Sequence, residues 1–476
     1  MSTNSIAIVQ ITHQPPHHRS RPGPHPAQHE ATGAPVQPVV KRQRFTAEQR
    51  SSAIAYLGFF GALVLMGLLA WLFEGQTSST LATSEPARVL GAVETAPLSA
   101  PAPSAAPTTA APVVETPTST SAAPTTTTTT STTTTIPLAD RELSRVESVF
   151  GDIAPKSVTS VGNGLFFAQN MMYRHTVTVY DDQGSLLKTI NDEVDFADFG
   201  RPELGVAQGA PVEAAPTSDG EFVYVSNYHM YGDAFGPQPT DSCGNTGWDN
   251  SFLYRVNSAS LEIDQVIEVG ATPKFLAVSP DDRWIVVSNW CSFDASIIDT
   301  ELGVEVARID MGRHPRGVAI SSDSSTAYVT QMGGTDIAKI SLDGLESNSS
   351  APLEVEWLED IGWGPRTVLL SPDDSTLFVT LNGEGTVAKV DAETGEVLER
   401  VVTGDAPRSM AISSDGEALY VVNYNSDTLS KIVTDTFEEI QELPVAEKPI
   451  GITIDEATSD VWVSAYSGVL EIFEDQ

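Results

Sequence analysis

Gly312–Ile340 reads G-R-H-P-R-G-V-A-I-S-S-D-S-S-T-A-Y-V-T-Q-M-G-G-T-D-I-A-K-I. It holds three short apolar runs, Gly317–Ile320, Ala327–Thr330 and Ile337–Ile340, separated by Ser, Asp and Gly. Short β-prone runs punctuated by turn residues predict consecutive hairpin strands. The stretch recurs. Aligned on a proline, Pro273, Pro315, Pro365, Pro407 and Pro449 open P-K-F-L-A-V-S-P-D-D, P-R-G-V-A-I-S-S-D, P-R-T-V-L-L-S-P-D-D, P-R-S-M-A-I-S-S-D-G and P-I-G-I-T-I-D, at spacings of 42, 50, 42 and 42 residues.

Two copies lie upstream. Pro211 opens P-V-E-A-A-P-T-S-D-G-E-F-V-Y-V-S-N, and Pro155 opens a weaker P-K-S-V-T-S-V-G-N-G-L-F-F-A-Q-N. Large apolar residues alternate in the first run of each copy (Val318 and Ile320, Val368 and Leu370, Met410 and Ile412), often around a small one (Ala277, Ala319, Ala411). A second run (Y-V-S-N, Y-V-T-Q, F-V-T-L, Y-V-V-N), a third (I-A-K-I, V-A-K-V, L-S-K-I) and a fourth (E-V-A-R-I, V-L-E-R-V) follow. Four strands per unit at a period near 40–45 residues predict an all-β, seven-bladed β-propeller. The last copy stops after its third run. Leu143–Gly151 (L-S-R-V-E-S-V-F-G) resembles a fourth run, so the N-terminal strand is expected to complete the last blade and remove an open sheet edge.

Tyr328–Gln331, Tyr224–Asn227 and Tyr420–Asn423, each after a P-x-x-x-A/I-S-x-D type strand, resemble the YVTN-repeat family of seven-bladed propellers. The resemblance covers about residues 140–476 and implies a surface-layer-type, extracytoplasmic scaffold. It carries no catalytic motif.

Residues 1–50 are rich in Pro, His, Gln and Arg, include His13, His17, His18, His25 and His29, and read as a disordered cytoplasmic tail. Residues 51–74 contain Ala53–Phe73, an uncharged apolar run long enough to span a bilayer as a helix. Lys41, Arg42, Arg44 and Arg50 precede it, which orients the N-terminus to the cytoplasm and everything beyond Glu74 outside. Residues 75–138 form a Thr/Pro/Ala-rich linker, whose reach at ~3 Å per residue approaches ~200 Å. Residues 139–476 are the propeller. The expected location is therefore the plasma membrane, single-pass, with the propeller extracytoplasmic.

The chain carries a formal net charge of −37. Residues 139–476 hold 19 basic and 57 acidic groups, so duplex nucleic acid is a poor partner for this domain. Cys243 and Cys291 each follow a second strand in neighbouring blades, and an oxidising exterior makes a disulfide between them the expectation.

Loops before first strands and after second strands share one face of a propeller. Immediately after the repeat proline stand Lys156, Lys274, Arg316, Arg366 and Arg408, in a domain where about one residue in eighteen is basic. Together they should ring one mouth of the central channel, where Arg forks suit carboxylate, sulfate or phosphate; the alternative is one basic residue copied with the repeat. Tyr228, Trp290, Tyr424 and Tyr466 follow second strands and could stack on a ligand or pack between blades. Two long insertions, Asp192–Gly209 and Tyr228–Asn250, fall on the same face, as do His229 and His314. Asp192, Glu193, Asp195 and Asp198 could in principle serve calcium but match no EF-hand loop, and acid-rich loops are common in this chain. No cofactor or metal site is assigned.

No G-x-S-x-G, H-E-x-x-H, C-x-x-C-H or phosphate-binding glycine loop occurs. The sequence favours a surface binding protein over an enzyme, with a cell-wall polymer, a small anion or a protein as partner. The alternatives are a lactonase-like hydrolase using His229 or His314, or a purely structural surface-layer element.

Overall fold

The computed structural model describes residues 141–244, 247–346 and 353–476, with a three-residue strand at Ala7–Val9. The apolar run Ala53–Phe73 and the linker lie outside the described residues. Among the described residues no helix is long and apolar enough to cross a membrane.

Each repeat but the last supplies four antiparallel strands of one sheet in sequence order. The sheet opening at Pro365 is typical. Pro365–Leu370 pairs with Thr376–Leu381, that with Thr386–Asp391, and that with Val397–Val402. The first strands of the sheets are Ser157–Ser160, Pro211–Pro216, Pro273–Val278, Pro315–Ile320, Pro365–Leu370, Pro407–Ile412 and Pro449–Ile454. Proline cannot donate to a ladder, and it stands at the first residue of nearly every one of them. Leu143–Phe150 pairs antiparallel with Val469–Asp475. These consecutive sheets make the domain a β-propeller.

The sheets are held by apolar side chains between their faces. Val286, Ala295, Ile297 and Ile309 of one sheet meet Val318, Val329 and Ile340 of the next, all nearly inaccessible to water. The last sheet is fixed at its outer edge by Lys431, wholly buried, which donates to Asp475 at 2.7 Å and to the Arg141 carbonyl at 3.0 Å.

Glycines also let first strands crowd together. They fall two residues after the proline. A Cβ on Gly317 would lie 2.4 Å from the Arg366 carbonyl oxygen, and one on Gly451 would lie 2.6 Å from the Ser157 Cα.

The Asp192–Gly209 insertion builds a satellite. Glu193–Asp195, Val206–Gln208 and Tyr231–Gly232 form a three-stranded sheet, with Phe196 packed beneath against Phe252 and Phe235. The tail, expected to lack structure throughout, carries a short strand where Ile and Val cluster: Ala7–Val9 runs parallel beside Ala307–Ile309.

Candidate functional site

The entry to five of the seven first strands is built alike. The residue before the repeat proline takes a left-handed backbone: Thr272 (φ 60), His314 (φ 59), Gly364 (φ 69), Ala406 (φ 57) and Lys448 (φ 61). The proline then pairs in register with the end of the second strand, and the ladder slips immediately afterwards. Shifts fall between Pro273 and Phe275, Pro315 and Val318, Pro365 and Val368, and Pro407 and Ser409. Such a bulge frees one residue from the pleat and re-aims its side chain. That residue is the repeated cation.

Lys156, Lys274, Arg316, Arg366 and Arg408 all line one cavity of about 560 Å³. Tyr228, Trp290 and Tyr466 line it with them. Lys156, Arg316 and Arg366 are about 95% buried. Two carboxylates answer part of this charge. Glu213 Oε1 accepts from Lys156 Nζ at 2.8 Å and from Arg316 Nη2 at 3.2 Å. Asp241 Oδ1 accepts from Lys274 Nζ at 3.0 Å and from the Tyr228 hydroxyl at 2.9 Å.

The arginines also hold one another's backbone. Arg316 donates to the Lys274 carbonyl at 2.9 Å and Arg366 Nε to the Arg408 carbonyl at 3.1 Å. Arg408 lies 3.6 Å from the Tyr424 ring centroid, a cation–π contact, and its buried Nε has no partner among the described residues.

Protonation follows the crowding. Burial holds the Lys156 amine well below its usual value although Glu213 opposes this. Burial also brings the Lys274 amine down to about 8, with Asp241 opposing and Arg316 and Arg366 assisting. Burial, with Arg316 and Arg408 beside it, pushes Arg366 well below the ordinary guanidinium range. Burial would raise the Glu213 carboxyl, but Lys156 and Arg316 more than offset it and hold it below the usual range. The Tyr466 hydroxyl is pushed up to about 12 by burial, with Arg366 and Arg408 pulling the other way, so it stays a neutral donor at physiological pH.

The other predicted residues divide. Tyr228 is buried and Lys274 Nζ sits 4.4 Å from its ring centroid and 5.1 Å from that of Trp290. Tyr424 meets Tyr466 edge-on at 6.2 Å and supports Arg408 from behind. Neither histidine lines the cavity. His229 Nε2 lies 3.1 Å from the Gly236 carbonyl, and His314 stacks on Trp290 at 4.3 Å.

Cys243 and Cys291 form a disulfide. It staples the Tyr228–Asn250 loop to the neighbouring sheet, placing Gln238, Pro239, Thr240 and Asp241 over the mouth. The Asp192–Gly209 insertion does not reach the cavity. Asp195 instead caps the short helix Phe196–Phe199, accepting from the Ala197 amide at 3.0 Å, and burial raises the Asp192 carboxyl well above its usual range. Among the described residues no cluster of three His, Cys, Asp or Glu side chains is placed to hold a metal ion.

Sequence reasoning missed the counter-ions. Glu213 had a signal. Pro211 opens the copy in which valine replaces the cation, and a carboxylate follows at the next position. Asp241 lies in a non-repeating loop and had none.

Comparison with known proteins agrees with the fold. Residues 248–469 match the family model described as YNCE-like beta-propeller. No curated protein matches the chain. Among solved structures, Kuenenia stuttgartiensis hydrazine synthase superposes with a TM-score of 0.52 at 18% identity, covering 68% of this chain and 96% of that one. The WD40 beta propeller domain of Doa1 superposes with a TM-score of 0.53 at 12% identity, covering 70% of this chain and 97% of that one. At these identities the likeness is one of fold, and function has to be argued from the site.

Proposed function

We propose that this protein is a binding propeller that holds an anionic group at the cationic mouth of its channel. One observation carries the reading: five side chains from one repeat position, in five different sheets, converge on one cavity. Repeat ancestry explains why the residue recurs. It does not explain why a domain so rich in acid leaves two of these cations, Arg366 and Arg408, without a carboxylate among the described residues. The anion belongs to a small molecule, a wall polymer or a protein partner. The structural-element reading predicts no pocket, and the hydrolase reading needs a histidine in the cavity, so neither fits as well.

The ring we propose is seven-bladed, of the YVTN-repeat kind, and closed by Leu143–Phe150. In support, Ser157–Ser160 lies beside both Pro211–Pro216 and Pro449–Ile454, and the intervening first strands lie beside one another in order. Deleting residues 139–151 should lower the melting temperature of the whole domain; unchanged melting would sink the closure.

We further propose that Ala53–Phe73 anchors the chain in the plasma membrane with the propeller outside at the cell surface. This requires Val304–Asp310 to be bare of Ala7–Val9 in the anchored protein, since tail and propeller would face opposite compartments. A mature N-terminus beyond residue 75, or a tail protected together with the propeller from added protease, would refute the anchor.

The binding test uses the full chain and an Arg316/Arg366/Arg408 triple-alanine variant, with circular dichroism to check folding. Wall polysaccharides and small anions are titrated at low and high salt. The expected result is binding that weakens with salt and is abolished by the triple change. Binding indifferent to those arginines would leave the ring a product of repeat ancestry.

A further inference from the structure

The mouth is not uniform, and its unevenness specifies the ligand. Three of the five cations have an internal carboxylate: Lys156 and Arg316 share Glu213, and Lys274 has Asp241. Arg366 and Arg408 have none within ion-pair distance among the described residues. Arg366 spends only its Nε, on the Arg408 carbonyl. Arg408 lies over Tyr424 with its Nε buried and unpartnered. Two adjacent guanidinium groups thus keep their terminal N–H donors for something outside the chain. A buried cation without a counter-charge is costly, so the arrangement is complete only with an anion present.

Resting on the anion-binding reading above, we propose that Arg366 and Arg408 form a subsite for the doubly charged head of a phosphate monoester, and that the rest of the cavity takes the esterified organic part. Charge sets the head. Two uncompensated forks match a dianion, which a phosphate monoester supplies near neutral pH and a sulfate ester or carboxylate does not. Geometry agrees, because paired forks offer parallel donors to several oxygens of one group. Tyr466, kept neutral beside them, adds a hydroxyl donor. Space sets the body. A cavity of about 560 Å³ far exceeds a lone phosphate, and Met171, Met172, Met332 and Trp290 give it apolar walls beside the Gln238 amide. The two internal carboxylates sit on the other cations and would repel a second negative charge there. The ligand is therefore charged at one end.

The experiment is calorimetric titration of the full chain with phenyl phosphate, phenyl sulfate, benzoate and inorganic phosphate. Phenyl phosphate should bind at least tenfold more tightly than each of the others. Arg366→Gln and Arg408→Gln should each weaken it at least tenfold, with a smaller loss in Lys274→Met. Arg408→Lys, which keeps the charge and loses the fork, should fall between and serves if a glutamine variant fails to fold. Equal binding of phenyl phosphate and phenyl sulfate would overturn the dianion assignment while leaving an anion site. Inorganic phosphate binding as tightly as phenyl phosphate would overturn the place given to the organic part. A loss in Lys274→Met as large as in the arginine variants would spread the site over the ring and refute the subsite, though not the ring. Binding of none of the four would refute the subsite, leaving the broader reading to its own panel.

Discussion

The two ends of the propeller are made from the same repeat and treat their polar groups in opposite ways. At the end where first strands turn into second strands, the repeat answers its own polar side chains, within one turn or, for Ser218 with Asp282 and Ser322 with Asp374, from the turn of the next sheet. Thr217, Ser279, Ser321, Ser371 and Ser413 each donate a hydroxyl to the carboxylate two residues on, at 2.5–2.7 Å. Each of those carboxylates accepts a backbone amide two residues further along, at 2.9–3.2 Å. The Ser321 and Ser325 hydroxyls hold the Asp323 carboxyl down to about 2. A cavity of about 370 Å³ at this end is lined by hydroxyls and turn backbone, with Glu456 as its one charged side chain. At the other end five copies of one cation meet, and no two have the same set of partners. A polar group that recurs with its partner is explained by the repeat. One that recurs without its partner has to be explained by something outside it.

The comparison breaks most visibly at Glu213. Replacing it with alanine leaves Lys156 and Arg316 buried and facing each other, which should cost about 3–5 kcal/mol. Asp323→Ala, at the self-contained end, loses exposed hydrogen bonds and should cost about 1 kcal/mol or less. Urea unfolding of both variants decides it, and equal losses would mean that the two ends do not differ in kind. Next in size is the staple. Cys243 and Cys291 are 48 residues apart, and joining them should contribute about 2–4 kcal/mol through the unfolded chain. A Cys243→Ser/Cys291→Ser variant as stable as the native protein would show that the loop over the mouth is held by packing alone.

What was legible in the sequence follows the same divide. The sheets were legible because period, turn chemistry and strand alternation agreed in copy after copy. The cations were legible as a recurring position, and the bulge after Pro273, Pro315, Pro365 and Pro407 turns that position toward the cavity for four of the five. The satellite sheet was not legible, since three-residue strands such as Glu193–Asp195 are too short to show a period. Nor were the resting places of His229 and His314. Both were expected on the loop-rich face, but only the path of the stapled loop decides that His229 turns to Gly236 while His314 stacks on Trp290. Asp241 was invisible for the same reason. It pairs with Lys274 only because a disulfide two residues away brings the loop back.

Lys274 gives a sharper, smaller test of the mouth. Its amine falls from 10.5 to about 8 on folding, mainly through burial. Between those values the unfolded chain holds a proton that the folded one has released, so stability rises with pH there, by at most ~1.4 kcal/mol per pH unit from this group. Below about 8 both states are protonated and the slope vanishes. Lys156 shifts in the same direction, so Lys274→Met should remove only its own share. Unfolding free energies at pH 7.5, 8.5 and 9.5 supply the measurement. A native-minus-variant difference that stays flat across that range would place the Lys274 amine in water.

The smallest effect lies in the backbone. Both ends use left-handed residues, but with different side chains. The turn end places Asp282 (φ 59), Asp374 (φ 58), Ser324 (φ 63) and Gly416 (φ 74) there, mostly types that tolerate the conformation. The mouth uses Thr272, Ala406 and Lys448, which do not, beside His314 and Gly364, which are better suited to it. Ala406→Gly should therefore stabilise the fold by about 0.5–1 kcal/mol, and Gly364→Ala should destabilise it by a similar amount. Ala406 stands four residues after Val402, the end of the preceding sheet's fourth strand, and two before Arg408, so relief of its strain also loosens the approach to that arginine. If Ala406→Gly stabilises the protein and weakens phenyl phosphate binding, the strained entry is part of what aims the cation. If it stabilises the protein and leaves binding as it was, the bulge alone aims Arg408, and the left-handed residue serves only to turn the chain into its first strand.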